Sequence, residues 1–166
     1  RDGVHGGYVW MVDADGRPLP GSKKVYGQAF AIYALAEYHL ASGDAAALTA
    51  ARRVFELLER HAHDARHLGY LEACAADWSP TAELRLSDGD MLAPKSMNTH
   101  LHVLEAFTNL YRAWPDPALA ARLRELIDLF GEHIVDHRVG HLRHFFDERW
   151  APLSEGYTYG HDIEAT

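Results

Sequence analysis

The sequence predicts an all-α fold in which helical hairpins repeat, with short β-strand pairs between them. One plan occurs three times: a short turn-rich apolar segment, then a helix that opens with polar side chains. The turn-rich segments are residues 6–10, 68–72 and 144–147, and the helix openings are residues 25–28, 95–102 and 159–164. Such a repeat is typical of a solenoid or a ring of helical hairpins. If like ends of successive helices meet on one side, their polar openings converge on a concave site.

The first helical hairpin is predicted over residues 25–42 and 45–62. Gly43 is suited to end the first helix, and Asp44 is suited to cap the second. The second helix has an apolar stripe on one side and charged residues on the other, whereas the first is more apolar. We therefore expect the first helix to be an inner helix and the second to be an outer helix.

The second hairpin is predicted over residues 96–114 and 118–135. Asp116 and Pro117 separate its helices, because aspartate is a good N-cap and proline is favoured at the first helical position. The same logic of an inner helix followed by an outer helix applies to this pair.

The gaps between hairpins predict short strand pairs. They are residues 8–12 turning at Asp15-Gly16, residues 70–74, and residues 141–146 turning before Trp150. No linker or low-complexity stretch divides the chain, so we expect one domain.

The composition limits the classes of function. A chain of 166 residues with 48% hydrophobic content suits one domain with a sizeable core. A formal net charge of -8 argues against nucleic-acid binding and favours a small or neutral ligand. Cys74 is the single cysteine, which fits a reducing compartment. No apolar run is long enough to span a membrane and no signal peptide is found, so we expect a cytoplasmic protein without membrane contact. The first residue is not methionine and the chain stops where a helix begins, so we expect a fragment of a longer protein.

The helix over residues 96–114 carries a polar stripe. Asn98, His102, Glu105 and Asn109 follow one another at spacings of four, three and four residues. Polar stripes are usually solvated faces. Here the stripe contains amides and a histidine, and few charges lie near it, which favours a helix that faces a cavity.

His161 and Glu164 are three residues apart in the last predicted helix, so the carboxylate could orient the imidazole or share a ligand with it. A metal site is a competing interpretation, because His100 and His102 supply two imidazoles. Residues two apart on a helix point about 200° from each other and do not easily bind one ion. No cysteine-rich or His-Glu-x-x-His pattern occurs either, so we expect no metal. The remaining histidines are expected on the solvated surface, among them His61, His63 and His67.

Three motifs resemble the N-acylglucosamine 2-epimerase superfamily, and within it the cellobiose 2-epimerases. Residues 95–106 (KSMNTHLHVLEA) resemble its signature helix, residues 159–165 (YGHDIEA) a second motif, and residues 25–30 (VYGQAF) a third. Their order and separations also fit. The resemblance implies an (α/α)6 barrel, a ring of six inner and six outer helices, of which residues 1–166 would be the central portion, truncated at both ends.

The resemblance also implies a reaction. Enzymes of this type invert C2 of the reducing-end glucose of a β-1,4-disaccharide such as cellobiose or lactose. The ring opens, a base removes the C2 proton to give a cis-enediolate, and protonation on the opposite face gives the epimer. Both proton transfers need groups that titrate near neutral pH, as histidine does.

Site residues follow from the same resemblance. His161 is implied as an acid–base catalyst and His102 as the histidine of ring opening, while the second acid–base histidine would lie beyond residue 166. The implied substrate contacts are Tyr26, Asn98, Glu164 and, in the rim loop of residues 87–91, Asp90. Glu164 would orient His161 or bind a sugar hydroxyl. No cofactor, nucleotide or metal is implied, and the expected partner is a disaccharide or monosaccharide.

Three alternatives remain at this point. An aldose–ketose isomerase of the same superfamily would use the same enediolate but return the proton to C1. The chain could instead be a non-catalytic carbohydrate-binding fragment. A glycoside hydrolase would need two carboxylates around the scissile bond, for which Asp88, Asp90 and Glu164 are candidates, but the histidine-centred motifs fit an epimerase better.

Overall fold

Helices account for most of the regular structure in this chain. A computed structural model describes residues 1–165. The helices are α1 (Val25–Ser42), α2 (Ala45–His61), α3 (Met97–Ala113), α4 (Pro117–Leu129) and α5 (Tyr159–Glu164), and a π-helical turn (Phe130–Ile134) follows α4. The strands are β1 (Lys23–Lys24), β2 (Ala73–Cys74), β3 (Lys95–Ser96), β4 (Val135–Asp136), β5 (His141–Leu142) and β6 (Phe145–Phe146). The fold is therefore mostly helical with few short strands, and none of the helices within residues 1–165 is long and apolar enough to cross a membrane.

Local signals set most helix ends. Gly43 adopts the left-handed conformation after α1, with φ of 76°. The Asp44 carboxylate accepts a hydrogen bond from the Ala46 N–H at 2.7 Å, and Asp116 does the same for Ala118 at 2.8 Å. These are the caps that the sequence predicts.

The fourth helix has nearly the predicted length, but it changes type before its end. We expected a helix over residues 118–135; α4 ends at Leu129, a π-helical turn continues to Ile134, and the chain enters β4 at Val135. Between them the π-helical turn contains Gly131, which lowers helix propensity. The turn ends where the β4 backbone pairs with β5, so a tertiary partner replaces the last helical hydrogen bonds.

The helices form two layers. α1 packs along α3, α2 packs behind α1, and α4 packs against α3. Ile32 of α1, Leu58 of α2 and Phe107 of α3 are fully buried where these helices meet. Arg52 and Arg53 lie on the exposed side of α2. This arrangement agrees with the inner and outer helices expected from the sequence.

The predicted strand pairs are partly right: the turns at Asp15-Gly16 and around Trp150 are closed by the single antiparallel bridges Val12–Pro18 and Phe146–Pro152. Among the strands within residues 1–165, β4 and β5 form a hairpin, whereas β1 pairs with β2 and β3 pairs with β6, each across a long stretch of chain. The predicted strand over residues 8–12 contributes a single bridge, from Val12 to Pro18. The predicted segment 70–74 contains β2 and a single bridge from Tyr70 to His63, and segment 141–146 divides between β5 and β6. Turn residues marked the turns correctly, but each two-residue strand preceding an inner helix takes a distant partner.

The turn-rich segment before α1 is tied to that helix by buried side chains. Lys23 Nζ lies 2.6 Å from the Asp2 carboxylate and 5.5 Å from the centre of the Trp78 ring. Gln28 Oε1 accepts a hydrogen bond from the Tyr8 N–H at 2.9 Å. The opening of α1 is therefore fixed by contacts with a loop that lies far before it in sequence.

The segment before α3 repeats these contacts with equivalent residues. Lys95 Nζ lies 2.8 Å from the Asp64 carboxylate and 4.9 Å from the centre of the Trp150 ring. His100 Nε2 accepts a hydrogen bond from the Tyr70 N–H at 2.9 Å. The repeated plan in the sequence thus corresponds to a repeated set of buried interactions.

Nine histidines were expected on the surface, among them His61, His63 and His67, and for His63 this expectation is wrong. Its side chain is only 6% exposed, and Nε2 lies 2.9 Å from the Glu125 carboxylate of α4. His61 is half-buried and stacks on Trp78 with ring centres 5.5 Å apart, and His67 is also half-buried. The charged residues near these histidines suggested that their side chains were exposed to solvent. When α4 packs against this loop, its Glu125 instead becomes a buried partner of His63.

Gly69 is the most constrained residue of the second turn-rich segment. Its φ is +76°, and an added Cβ would lie 2.6 Å from Trp150 and 2.7 Å from His100 Nε2. Gly140 has nearly the same φ, +75°, but an added Cβ there meets nothing within 4 Å. A comparison of alanine substitutions at these two glycines therefore separates the cost of backbone strain from the cost of steric overlap.

We predict that Gly140→Ala lowers the free energy of unfolding by about 1 kcal/mol through backbone strain alone. Gly69→Ala should cost about 1–3 kcal/mol more, because the ring of Trp150 and the hydrogen bond of His100 must shift. Denaturant unfolding of the two variants beside the wild type measures the difference. Equal losses for both would mean that the contact at Gly69 is not tight.

Candidate functional site

The first turn of α3 is held by hydrogen bonds from two directions. Ser96 caps the helix by accepting from the Thr99 N–H at 3.1 Å. The buried carboxylate of Glu72 accepts from the Ser96 N–H and from the Thr99 hydroxyl, both at 2.7 Å. Asn98 lies between these two bonded residues, so its backbone is fixed on either side.

Asn98 opens on a cavity of about 200 Å³ that lies between α3, α5 and the loop of residues 84–91. Asp90 and His161 line the same cavity, so the structure brings together three of the residues expected in the site. Asn98 Oδ1 is buried and has no hydrogen-bond partner within residues 1–165, and the same holds for Arg85 Nε. Buried polar atoms are nearly always paired, so this acceptor and this donor are free to bind a polar ligand or water.

His161 is oriented by a residue that the sequence did not indicate. Its Nδ1 lies 2.6 Å from the Thr158 hydroxyl oxygen, which leaves Nε2 as the open ring nitrogen. The expectation that Glu164 orients His161 is therefore not met in this structure. His144 lies beside the pair, with its ring centre 5.6 Å from that of His161.

A second group of expected residues surrounds His102, one turn after Asn98. His102 is buried, and Nδ1 lies 2.6 Å from a carboxylate oxygen of Glu105. The ring centres of Tyr26 and Phe30 each lie 4.8 Å from that of His102. Glu164 joins this group, because its carboxylate lies within 4.8 Å of ligand atoms of His102 and Glu105. The five expected residues of the inner helices thus occupy neighbouring helix openings, but in two groups.

The predicted polar stripe divides along α3. Asn98, His102 and Glu105 belong to the site, whereas Asn109 is buried and donates to the Tyr33 backbone carbonyl at 3.2 Å. The last residue of the stripe therefore joins α3 to α1, and the pocket that it lines with Glu105 and Glu164 is separate from the cavity at Asn98.

His102, Glu105 and Glu164 could also hold a cation, since their ligand atoms converge. His102 Nδ1 already bonds to Glu105, and three protein ligands of this kind are fewer than structural zinc sites use. The geometry fits a hydrogen-bonded triad as well as a cation site, so the expectation of no metal stays a prediction.

Burial shifts the protonation of several groups at the site. Burial, reinforced by Glu164 and then Glu105, raises the pKa of Tyr26, so its hydroxyl stays protonated and can donate to a ligand oxygen. Burial and then His161 lower the pKa of His144, which favours the neutral imidazole. Burial raises the pKa of Glu72 to about 7, against the opposing hydrogen bonds from Thr99 and Ser96.

Three residues of the site were missed from the sequence: Glu72, His144 and Thr158. Glu72 and His144 looked like ordinary loop residues, and Thr158 precedes a motif without being part of it. The repeat could have revealed two of them, because Glu72 and His144 are separated by the same 72 positions as Lys23 and Lys95.

The fold and the site can now be compared with known proteins. Residues 1–166 match the family model described as N-acylglucosamine 2-epimerase (GlcNAc 2-epimerase), and the chain belongs to this family. The cellobiose 2-epimerase of Bacteroides fragilis is 46% identical over 165 residues, which cover 99% of this chain and 42% of the relative.

Two solved structures are also similar. The cellobiose 2-epimerase of Spirochaeta thermophila has a TM-score of 0.90 and 49% identity, covering 99% of this chain and 41% of that one. The cellobiose 2-epimerase of Bacillus thermoamylovorans has a TM-score of 0.93 and 41% identity, covering 99% and 42%. The present chain therefore spans less than half the length of these relatives.

We predict that Glu72 makes stability depend on pH near neutrality. Its folded pKa of about 7 lies above the ordinary value of 4.5, so its contribution is complete below about pH 4.5 and is lost as pH rises through 7. The wild type should therefore lose stability between pH 5 and pH 9, and Glu72→Gln should not. The difference in unfolding free energy between variant and wild type should change by about 3 kcal/mol in favour of the variant over this range.

Denaturant unfolding at several pH values checks this prediction. Glu56→Gln is the matched control, because Glu56 is exposed on α2 and its replacement should leave the pH profile unchanged. Parallel profiles for wild type and Glu72→Gln would contradict a raised pKa at Glu72.

Proposed function

We propose that the protein containing this chain is a sugar 2-epimerase that inverts C2 of the reducing-end glucose of a β-1,4-disaccharide of the cellobiose or lactose type. The observation that carries the proposal is the joint position of Asn98 and His161 at one cavity, one turn before His102 and Glu164 on their helices. Membership of the N-acylglucosamine 2-epimerase family, with cellobiose 2-epimerases among the relatives, supports the same reaction.

The proposed chemistry assigns one task to each group. His102 assists ring opening by moving a proton between the ring oxygen and the anomeric hydroxyl, and Glu105 orients its imidazole through Nδ1. His161 Nε2 then removes the C2 proton, and the electron pair of the C–H bond forms the enediolate. Asn98 donates from its amide nitrogen to an enediolate oxygen, and Tyr26 holds a sugar hydroxyl. A second acid–base group, outside this chain, protonates the opposite face of C2.

The proposed architecture is an (α/α)6 barrel of which residues 1–166 form the central portion. α1 and α3 would be two adjacent inner helices, α2 and α4 their outer partners, and α5 the start of the next inner helix. Phe30 and Tyr33 on α1 are 41% and 42% exposed, as expected of apolar side chains that further inner helices would cover. Asp90 would lie at the rim of the barrel, against the non-reducing sugar.

The first test is the product that the full-length protein forms from cellobiose in D₂O. We expect a disaccharide with mannose at the reducing end and deuterium at C2. A ketose would indicate an aldose–ketose isomerase, free glucose would indicate a glycoside hydrolase, and no conversion would favour a non-catalytic carbohydrate-binding protein.

We predict that His161→Asn lowers deuterium uptake at C2 by about 10²-fold or more, as for loss of a positioned base. His5→Asn is the control, because His5 is exposed and its hydrogen bonds, to Asp2 and Trp78, are made by its backbone N–H and carbonyl. Near wild-type exchange in a folded His161→Asn protein would remove His161 from the mechanism.

A further prediction concerns the 166-residue chain produced alone. Half-exposed aromatic residues such as Phe30 and Tyr33 would remain in contact with water, where burial of each would be worth roughly 1.5–3 kcal/mol. The second acid–base group would also be absent. We expect no measurable epimerase activity and a tendency to aggregate or remain molten. A monomeric, cooperatively unfolding preparation that epimerises cellobiose would contradict this, and would point to His102 as the second acid–base group.

A further inference from the structure

Glu72 and His144 occupy equivalent positions, immediately before β2 and β6. The backbone carbonyl of Glu72 accepts from the Val25 N–H at 3.0 Å, at the start of α1. The backbone carbonyl of His144 accepts from the Met97 N–H at 2.8 Å, at the start of α3. Each residue therefore has its main chain fixed to one inner helix.

The side chains of these two residues extend to the next inner helix. The Glu72 carboxylate bonds to the first turn of α3, at Ser96 and Thr99. His144 extends towards the first turn of α5, where its Nε2 lies 3.5 Å from the Thr158 hydroxyl oxygen. In the first repeat the equivalent position is Trp10, which packs against the first turn of α1. The position therefore contacts the opening of the following helix in all three repeats.

The Thr158 hydroxyl is shared by two imidazoles. Its oxygen lies 2.6 Å from His161 Nδ1 and 3.5 Å from His144 Nε2. A hydroxyl has one proton to donate and can accept at the same time. The shorter contact is a strong hydrogen bond, and the longer one lies at the outer limit of hydrogen-bond length.

We propose that His144 is a positioning residue that acts through Thr158 to hold His161 in the tautomer with its proton on Nδ1. In this arrangement His161 Nδ1–H donates to the Thr158 oxygen, and the Thr158 hydroxyl donates to His144 Nε2. His161 Nε2 then carries a lone pair, as a base that removes a proton from C2 must. This inference rests on the proposed role of His161 in epimerisation.

The surroundings of His144 favour the neutral imidazole, and the proposal assigns to it the tautomer in which Nε2 carries a lone pair and accepts from Thr158. Half-burial and the neighbouring His161 lower the pKa of His144, while Asp162 opposes this effect from α5. The other ionisable groups that line the cavity with it are Glu72, Arg85, Asp90 and His161. A protonated His144 could only donate to Thr158, which would then donate to His161 Nδ1 and leave Nε2 protonated.

The decisive measurement is the tautomer of His161, read from imidazole ¹⁵N chemical shifts in the labelled full-length protein. Wild type should show neutral His161 with its proton on Nδ1. His144→Leu should shift the population towards the other tautomer, whereas His144→Gln should retain it, because the Gln oxygen can accept where Nε2 does. An unchanged tautomer in His144→Leu, or an equal shift in both variants, would overturn the inference.

Kinetics on cellobiose supply the second readout. His144→Leu and Thr158→Val should lower kcat about tenfold or more with little change in KM, and the double variant should be no worse than either alone. His144→Gln and Thr158→Ser should recover most of kcat, which a purely structural role would not require. A wild-type protein that holds the Nδ1–H tautomer but lacks epimerase activity would support the hydrogen-bond chain and overturn the proposed function instead.

Discussion

The buried ammonium group of Lys95 is the interaction on which the rest of the structure depends. Its side chain is 0% exposed, and Nζ bonds to the Asp64 carboxylate at 2.8 Å and to the backbone carbonyls of Leu68 and Glu148 at 2.6 and 3.0 Å. A buried charge is tolerated only when its donors are satisfied, so these three acceptors cannot move independently. Lys95 lies in β3, which directly precedes α3. The loop that contains Asp64 and Leu68 and the loop that contains Glu148 therefore determine where α3 begins.

Repetition of the buried contacts explains why the site residues converge. Gln28, His100 and Asp162 each accept a hydrogen bond from the backbone N–H of a turn-rich segment, in successive inner helices. Two residues after each acceptor, the equivalent positions are Phe30, His102 and Glu164. The Phe30 and His102 ring centres are 4.8 Å apart, and the Glu164 carboxylate lies within 4.8 Å of a ring nitrogen of His102. Equivalent helix positions thus meet because the same loop contact fixes each helix.

The sequence predicts those features of the fold whose partners are near in the chain. Asp44 and Asp116 cap N–H groups two residues away, and Gly43 ends the helix that it follows, so residue type and spacing were sufficient. The pairings of β1 with β2 and of β3 with β6, and the Glu125 partner of His63, lie about 50 residues or more apart. Neither periodicity nor turn chemistry contains information about such distant partners.

The same distinction holds within the candidate site. Asn98 and His102 were identifiable because one helix carries both, four residues apart, and His161 and Glu164 because they are three apart; resemblance added Asp90. Glu72 was not identifiable, because its carboxylate bonds to residues 24 and 27 positions further on, in a loop-to-helix contact. Asn98, His102 and Glu105 of the polar stripe lie in the candidate site, whereas Asn109 bonds to a backbone carbonyl of α1 and lies outside the cavity at Asn98.

Separate residues stabilise the helix openings and line the site. The buried lysines, the tryptophans beneath them and the close-packed glycines are alike in the first two repeats, whereas the residues that meet at the centre differ: an aromatic ring at Phe30, an imidazole at His102 and a carboxylate at Glu164. A catalytic group must be held within a fraction of an ångström, which requires a backbone fixed by other residues. The loop contacts already supply that rigidity. Substitution at Phe30, His102 or Glu164 can therefore alter the chemistry of the site without removing the interactions that fix the position of the helix. The candidate site therefore carries different side chains at equivalent positions of α1, α3 and α5, while the supports of α1 and α3 are alike.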